Sequence, residues 1–176
     1  MADTAFTIRP AQPGDVPELL VLVRELAEYE REPDAVEATD ERLLAALFPA
    51  DAGSARSHAF VAEADGALVA MAVWYVTFST WTGRHGIWLE DLYVRPEHRG
   101  AGLGRALLRR LARSAVERGW TRLEWWVLRW NEPSIGFYEA LGARAMNEWL
   151  HYRMDGAELL ALAGEQPAHD HQGGQA

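Results

Sequence analysis

The chain of 176 residues contains no cysteine, and all 17 of its basic side chains belong to arginine. Without cysteine there is no disulfide framework, no thiolate nucleophile and no cysteine-ligated metal site. Without lysine there is neither Schiff-base chemistry nor the lysine of a P-loop nucleotide site. These two absences exclude several classes of enzyme before any motif is considered.

Long apolar runs are missing as well. The start of the chain has neither the basic residues nor the apolar stretch of a signal peptide, and no later segment approaches the length of a membrane span. With 49% hydrophobic residues, residues 1–163 are expected to form one compact domain. The polar tail 164–176 is expected to be disordered. His169 and His171 in this tail lack the other ligands of a metal site, so we expect no metal. Because the sequence shows neither a signal peptide nor a membrane span, we expect a cytoplasmic protein without membrane contact.

Negative charge is concentrated in the first third of the chain. The net charge is −9, and residues 1–65 carry all of it, with 5 arginines against 14 acidic residues. Eight arginines lie between Arg95 and Arg122. This local basic patch on an acidic chain suits an anionic cofactor and is a poor match for nucleic acid.

One stretch reads as a strand, a glycine loop and a helix in succession. Ile87 to Val94 is apolar and aromatic, Pro96 ends the strand, and apolar residues recur at helical spacing after Gly102. At such a helix start, unpaired amides and the helix dipole favour an anion, and glycine allows a pyrophosphate to approach the backbone. The alternative is that the glycines only end one element and begin the next.

The spacing of the glycines distinguishes three nucleotide loops. Gly100, Gly102 and Gly104 lack the last glycine of a dinucleotide fingerprint, because Arg105 stands there, and no Gly-Lys-Ser/Thr is present. What remains is Arg-x-x-Gly-x-Gly, beginning at Arg99. This pattern resembles the acetyl-CoA loop of the GNAT superfamily of N-acetyltransferases, in which loop amides hold the pyrophosphate of coenzyme A.

The other segments predict an alternation of strands and helices. Before the loop these are a strand at 6–9, a helix opened by a capping box of Asp15 and Glu18, a helix after Thr39, and a hairpin of 58–64 and 67–78 joined at Asp65-Gly66. After it come a helix from Gly102 to a cap at Gly119, a strand at 122–128, a helix from Asn131 to Gly142, an extended stretch at 143–154 and a short helix at 157–163.

This order resembles the GNAT fold, an α/β fold with a mixed central sheet, flanking helices and a glycine loop for acetyl-CoA. The resemblance covers the chain from Phe6 to about Ala163. Within the superfamily, four motifs are similar to those of the diamine (spermidine/spermine) acetyltransferases and their thialysine-acetylating relatives. They are Phe-x-Ile-Arg-Pro-Ala from Phe6, Glu28-Tyr-Glu30, Trp88-Leu-Glu-Asp91 and Trp130-Asn-Glu-Pro-Ser-Ile-Gly-Phe-Tyr138. The resemblance implies an acetyl-CoA-dependent enzyme for a small cationic primary amine, working as a homodimer.

Two residues are the candidate proton-transfer groups. An amine that arrives as ammonium must lose a proton before it attacks a thioester, and Glu90 on the strand before the loop is the candidate base. The competing interpretation of Glu90 is a structural carboxylate paired with an arginine. The resemblance places Tyr138 beside the cofactor sulfur as the acid, whereas its competing role is a core aromatic. Backbone N–H groups near Leu92 are the candidate oxyanion donors.

The resemblance also implies the binding residues. The cofactor would be held by Leu92, Tyr93, Val94, Arg99, Gly100, Ala101, Gly102, Leu103, Gly104 and Arg105, and by Asn131, Glu132, Pro133 and Ser134. The amine would meet Tyr29, Glu30, Glu90, Glu124, Trp125 and Trp126.

Two features leave the amine open. Residues 25–41 hold eight acids and one arginine, which fits either a solvated face or a mouth for a cation. Where diamine enzymes carry an acidic residue shortly before a tryptophan, this chain has Ser79-Thr-Trp81. The alternatives are therefore acetylation of an amino acid such as thialysine, of a peptide N-terminus or of an amino-bearing drug, and a non-catalytic acyl-CoA sensor.

Overall fold

The computed structural model describes residues 6–51, 53 and 55–165. By its internal contacts the chain divides into two units, Met1–Leu128 and Arg129–Ala176, which are described in turn. None of the described helices combines the length and the apolar character needed to cross a bilayer. His169 and His171 lie outside the described residues, as does the expected disorder of the tail beyond residue 165.

The first unit is built on one mixed sheet. Its described residues form five strands in the order β1-β2-β3-β4-β5. They are β1 Thr7–Pro10, β2 Ser57–Ala64, β3 Ala67–Ser79, β4 Arg84–Val94 and β5 Leu123–Glu124. The first four pair antiparallel, and β5 runs parallel to β4. The expected mixed sheet is confirmed, with β3 in the middle.

Helices cover both faces of this sheet. They are α1 Val16–Glu30, α2 Asp40–Leu47 and α3 Leu103–Glu117. Leu19 and Leu22 of α1 pack with Val61 and Met71 in the main core cluster. Phe60, one residue before Val61, points to the other face and lies under Arg110 of α3, whose guanidinium carbon is 4.9 Å from the ring centroid. The α/β fold with flanking helices is therefore confirmed.

Two helix ends behave as the sequence indicates. The Thr39 side chain accepts a hydrogen bond from the Arg42 amide, 3.3 Å, and so caps α2. Gly119, with φ of 69°, follows the end of α3, where the Trp120 amide donates to the carbonyl of Ala115, 2.9 Å.

The predicted capping box of Asp15 and Glu18 is wrong. The Asp15 carboxylate instead accepts from the Gln12 amide, 2.7 Å, and from the Arg9 guanidinium, 2.6 Å. Glu18 forms an ion pair with Arg95, 2.8 Å. Charge-assisted partners are stronger than a single amide, and both carboxylates have one within reach.

The strand expected at 122–128 is much shorter, because only Leu123 and Glu124 pair with β4. In the second unit, the described residues form α4 Glu132–Glu139 and α5 Gly156–Ala163, and no strand. The extended stretch predicted at 143–154 is therefore not a strand in this structure. Apolar and aromatic residues give this segment the composition of a strand, but a strand also requires ladder hydrogen bonds to a neighbour. The expectation of a single domain over 1–163 stays a prediction.

Candidate active site

A β-bulge in β4 sets the geometry of the candidate site. Val73 of β3 pairs with Asp91, but the next residue, Trp74, pairs with Leu89. Glu90 is therefore the extra residue, with no Cα partner on β3. Bulges of this kind re-aim side chains and are frequent next to active sites.

The bulge gathers residues that strict alternation would separate. Tyr75, Val73 and Met71 share one face of β3, and they pair with Trp88, Asp91 and Tyr93. In an unbroken strand, Trp88 and Asp91 would lie on opposite faces. The register shift brings both to the face that packs against α1, where Tyr29 also lies against the core cluster.

Trp88 holds the carboxylate of Glu90. Its indole nitrogen donates a hydrogen bond to Glu90 Oε2, 3.2 Å. The indole lies between two other rings, with centroid distances of 6.3 Å to Tyr75 and 4.8 Å to Trp126. Within the described residues Glu90 has no arginine partner, so the competing interpretation of a structural ion pair does not hold in this structure.

Three carboxyl groups lie near enough at this point for two of them to influence the third. Burial, and then the negative charges of Glu90 and Glu30, raise the pKa of Asp91 from 3.8 to about 7. Burial also raises the pKa of Glu30 at the end of α1. A partly desolvated cluster of carboxyls favours a cation, and a group that titrates near neutral pH is suited to proton transfer.

Arg99, at the start of the glycine loop, contacts the rings of two tyrosines. Its guanidinium carbon lies 4.9 Å from the ring centroid of Tyr29 and 5.7 Å from that of Tyr93. Its Nε donates to the carbonyl of Val94, 2.9 Å. The predicted amine site at Tyr29 and Glu30 and the predicted cofactor loop are thus neighbours within the first unit.

The glycine loop fits an anion. Gly100 and Gly102 have φ of 78° and 84°, a left-handed conformation that glycine adopts without strain. An added Cβ at either position would meet no atom within 4 Å, so the space beside both residues is open. Gly102 is the N-cap of α3, and the first helical bond runs from the Ala106 amide to its carbonyl, 2.9 Å. The amides of Leu103, Gly104 and Arg105 at this helix start remain available to a phosphate.

The open edge of β4 fits the rest of the cofactor. β5 pairs with β4 only at Ile87 and Trp88. Within residues 6–51, 53 and 55–128, no strand pairs with that edge from Leu89 to Val94. The predicted pairing of Leu92, Tyr93 and Val94 with the pantetheine amides therefore has an available edge, and it stays a prediction.

The other predicted amine-binding residues have different surroundings. Glu124 forms an ion pair with Arg122, 2.8 Å, so its carboxylate is already matched by a cation. Trp126 is 57% exposed while its ring touches Trp88. Trp125 follows Glu124 directly and is partly buried. Of these three, Trp126 is the one whose ring contacts Trp88, the hydrogen-bond donor to Glu90.

The remaining candidates belong to the second unit. The Asn131 side chain is buried and caps α4 by accepting from the Ser134 amide, 3.3 Å, with Glu132 and Pro133 in the first turn. Tyr138 is partly buried on α4, with its ring 5.3 Å from that of Phe137. Their roles toward the cofactor stay predictions.

Sequence reasoning missed two members of the site, Tyr75 and Trp88. The spacing of Trp88 and Glu90 by two residues could have indicated a shared face. Nothing in the sequence indicates that Asp91 joins them, because that depends on the bulge. In the part of the chain that the structure describes, no group of three or more His, Cys, Asp or Glu could hold a metal ion.

Comparisons with known proteins concern the family and the fold of the chain. The model of the acetyltransferase (GNAT) family matches residues 20–143. Thialysine N-epsilon-acetyltransferase of Sus scrofa is 38% identical over 169 residues, which cover 90% of this chain and 97% of that protein. The spermidine/spermine N(1)-acetyltransferase-like protein 1 of Homo sapiens is 34% identical over 92% of this chain and 24% of its own length.

Among solved structures, an integron cassette protein of V. cholerae has a TM-score of 0.74 and 23% sequence identity. The match covers 90% of this chain and 97% of that one. At this identity the likeness concerns the fold alone.

The loop geometry predicts that Gly102→Val abolishes acetyl-CoA binding, because a branched side chain at a φ of 84° would fill the approach to the helix-start amides. Isothermal titration calorimetry checks the affinity. Gly119→Val is the matched control, since it imposes comparable strain at the other end of α3, with φ of 69°. Unchanged affinity in a folded Gly102→Val protein would contradict the assignment of the loop.

The carboxyl cluster predicts a pH-dependent cost to stability. The folded protein holds the Asp91 proton up to about pH 7, whereas an unfolded chain releases it near 3.8. The free energy of unfolding should therefore fall as pH rises through this window, and Asp91→Asn should remove that component. Denaturant titrations at about pH 5 and about pH 8 measure the difference. The exposed Asp34→Asn is the control, and an equal pH dependence in wild type and Asp91→Asn would refute the cluster.

Proposed function

We propose that this chain, which belongs to the acetyltransferase (GNAT) family and is an N-acetyltransferase, transfers the acetyl group of acetyl-CoA directly to the primary amine of a small cationic substrate. The observation that carries the proposal is that Glu30 and Glu90 lie close enough to Asp91 for their charges to raise its pKa, while Arg99 of the loop segment lies over the ring of Tyr29, the residue before Glu30. Carboxylates and aromatic faces both attract ammonium groups.

In the proposed reaction, Glu90 accepts a proton from the bound ammonium, directly or through one water. The freed nitrogen attacks the thioester carbonyl carbon, and backbone N–H groups near Leu92 stabilise the oxyanion. When the carbon–sulfur bond breaks, Tyr138 donates its proton to the departing thiolate, and the second proton that the nitrogen loses on becoming an amide restores the phenol through solvent. Glu90 then returns its proton to solvent, and the products are the acetamide and coenzyme A.

The substrate is proposed as a polyamine-like or diamine-like amine, with thialysine as the alternative. The relatives' names support both, and Ser79 and Thr80 before Trp81 leave this chain without the acidic residue of the diamine enzymes. Thiol release from acetyl-CoA, measured with a panel of diamines, polyamines, thialysine, peptides and amino-bearing drugs, tests the proposal. Absence of thiol release with every amine would favour an acyl-CoA-binding sensor.

Two substitutions separate the proton-transfer roles. Glu90→Gln keeps shape and hydrogen bonding but accepts no proton, so turnover should fall by about 10²–10⁴-fold and recover partly at higher pH, where more amine is already deprotonated. Tyr138→Phe should give a defect that varies with the leaving thiol. Steady-state kinetics across pH measures both effects. Full activity of Glu90→Gln near neutral pH would assign the base elsewhere.

We also propose a homodimer. Met146, Trp149, Leu150 and Tyr152 of the second unit are each more than half exposed in the single chain, a surface that suits association. Light scattering at micromolar concentration should give twice the chain mass, and a monomeric mass would overturn the proposal. A cytoplasmic location and the absence of a nucleic-acid partner stay expectations from the sequence.

A further inference from the structure

We propose that Trp88 is the positioning residue for Glu90, and that its indole N–H holds the carboxylate in the orientation from which it accepts the substrate proton. The inference rests on the proposed function, in which Glu90 is the base. It adds a residue to which neither the family pattern nor the sequence assigned a role.

The bulge creates the need for such a residue. Glu90 has no Cα partner on β3, and its side chain is exposed. A glutamate in that position has several rotamers available, and fixing a side chain of this length costs conformational entropy. A base that is already oriented avoids part of that cost during the reaction.

Trp88 is itself firmly placed. It pairs with Tyr75 of β3 on one side and with Glu124 of β5 on the other. Its ring lies 6.3 Å from the Tyr75 ring and makes an edge contact, 4.8 Å, with Trp126. The rings of Tyr75 on β3 and of Trp126, two residues after β5, therefore hold the indole, and the indole orients Glu90 through the 3.2 Å hydrogen bond to Oε2.

The chemical character of the donor also matters. An arginine partner would orient a carboxylate equally well, but its positive charge would favour the ionised form and repel an incoming ammonium. A neutral indole N–H orients the carboxylate without adding a cation to the site. The arginine nearest in sequence to β5, Arg122, is paired with Glu124 instead, 2.8 Å.

A double-mutant cycle tests the inference. Trp88→Phe keeps an aromatic ring but removes the N–H, so kcat should fall by roughly tenfold, a part of the full contribution of a general base. The affinity for acetyl-CoA should not change. In a Glu90→Gln background the same Trp88→Phe change should have no further effect on kcat, because a side chain that accepts no proton gains nothing from being oriented.

Two further variants make the cycle specific. Trp88→Tyr restores a donor on an aromatic ring and should retain more of kcat than Trp88→Phe. Trp120→Phe removes an indole that contacts Arg118 and His85 rather than the site, and it should leave kcat unchanged in both backgrounds. Thermal unfolding of each variant shows whether lost activity reflects lost fold.

The outcomes are distinguishable. Two outcomes would overturn the positioning role alone. One is wild-type activity in Trp88→Phe, and the other is that Trp88→Phe lowers kcat by the same factor in the wild-type and Glu90→Gln backgrounds. If the wild type turns over and Glu90→Gln is equally active, Glu90 is not the base, and the inference about Trp88 fails with that assignment. A wild-type protein that releases no thiol with any amine would overturn the proposed function as well.

Discussion

The register shift between β3 and β4 is the constraint on which the candidate site depends. Because Glu90 is an extra residue, Trp88 and Asp91 lie on the same face of the sheet, toward the end of α1. Two consequences follow from this one irregularity: Asp91 is influenced by both Glu90 and Glu30, and its pKa rises to about 7. A regular strand of the same composition would keep Trp88 and Glu90 on one face and place Asp91 on the other.

Two arginines connect α1 to the cofactor loop. Arg95, at the end of β4, forms ion pairs of 2.8 Å with Glu18 and with Glu25 of α1, and it donates to the carbonyl of Leu68, 2.9 Å. These ion pairs therefore hold α1 against the residue that follows β4 and begins the loop segment. Arg99, four residues later, lies over Tyr29 at the other end of α1. The absence of lysine suits this arrangement, since a planar guanidinium can serve several acceptors and also stack on a ring.

The sequence predicts the strand, loop and helix of residues 87–118 because apolar period, proline and glycine all agree there. It also predicts the hairpin at Asp65-Gly66, where both residues have positive φ, and the cap at Thr39. It fails where tertiary partners decide: the capping box of Asp15 gives way to Arg9, and the stretch 143–154 has a strand-like composition but forms no strand. The bulge has no signature in a single sequence, so the grouping of Trp88 with Asp91 was not predictable.

The most direct test of the account is proton release when the amine binds. Calorimetry of the best amine of the panel, bound to the protein loaded with coenzyme A near pH 7 in buffers of different ionisation enthalpy, counts the protons exchanged. A cation placed beside Asp91 favours the ionised carboxyl, so the account predicts proton release in the wild type and a smaller release in Asp91→Asn. Equal proton exchange in both proteins would contradict the claim that the amine binds at the carboxyl cluster.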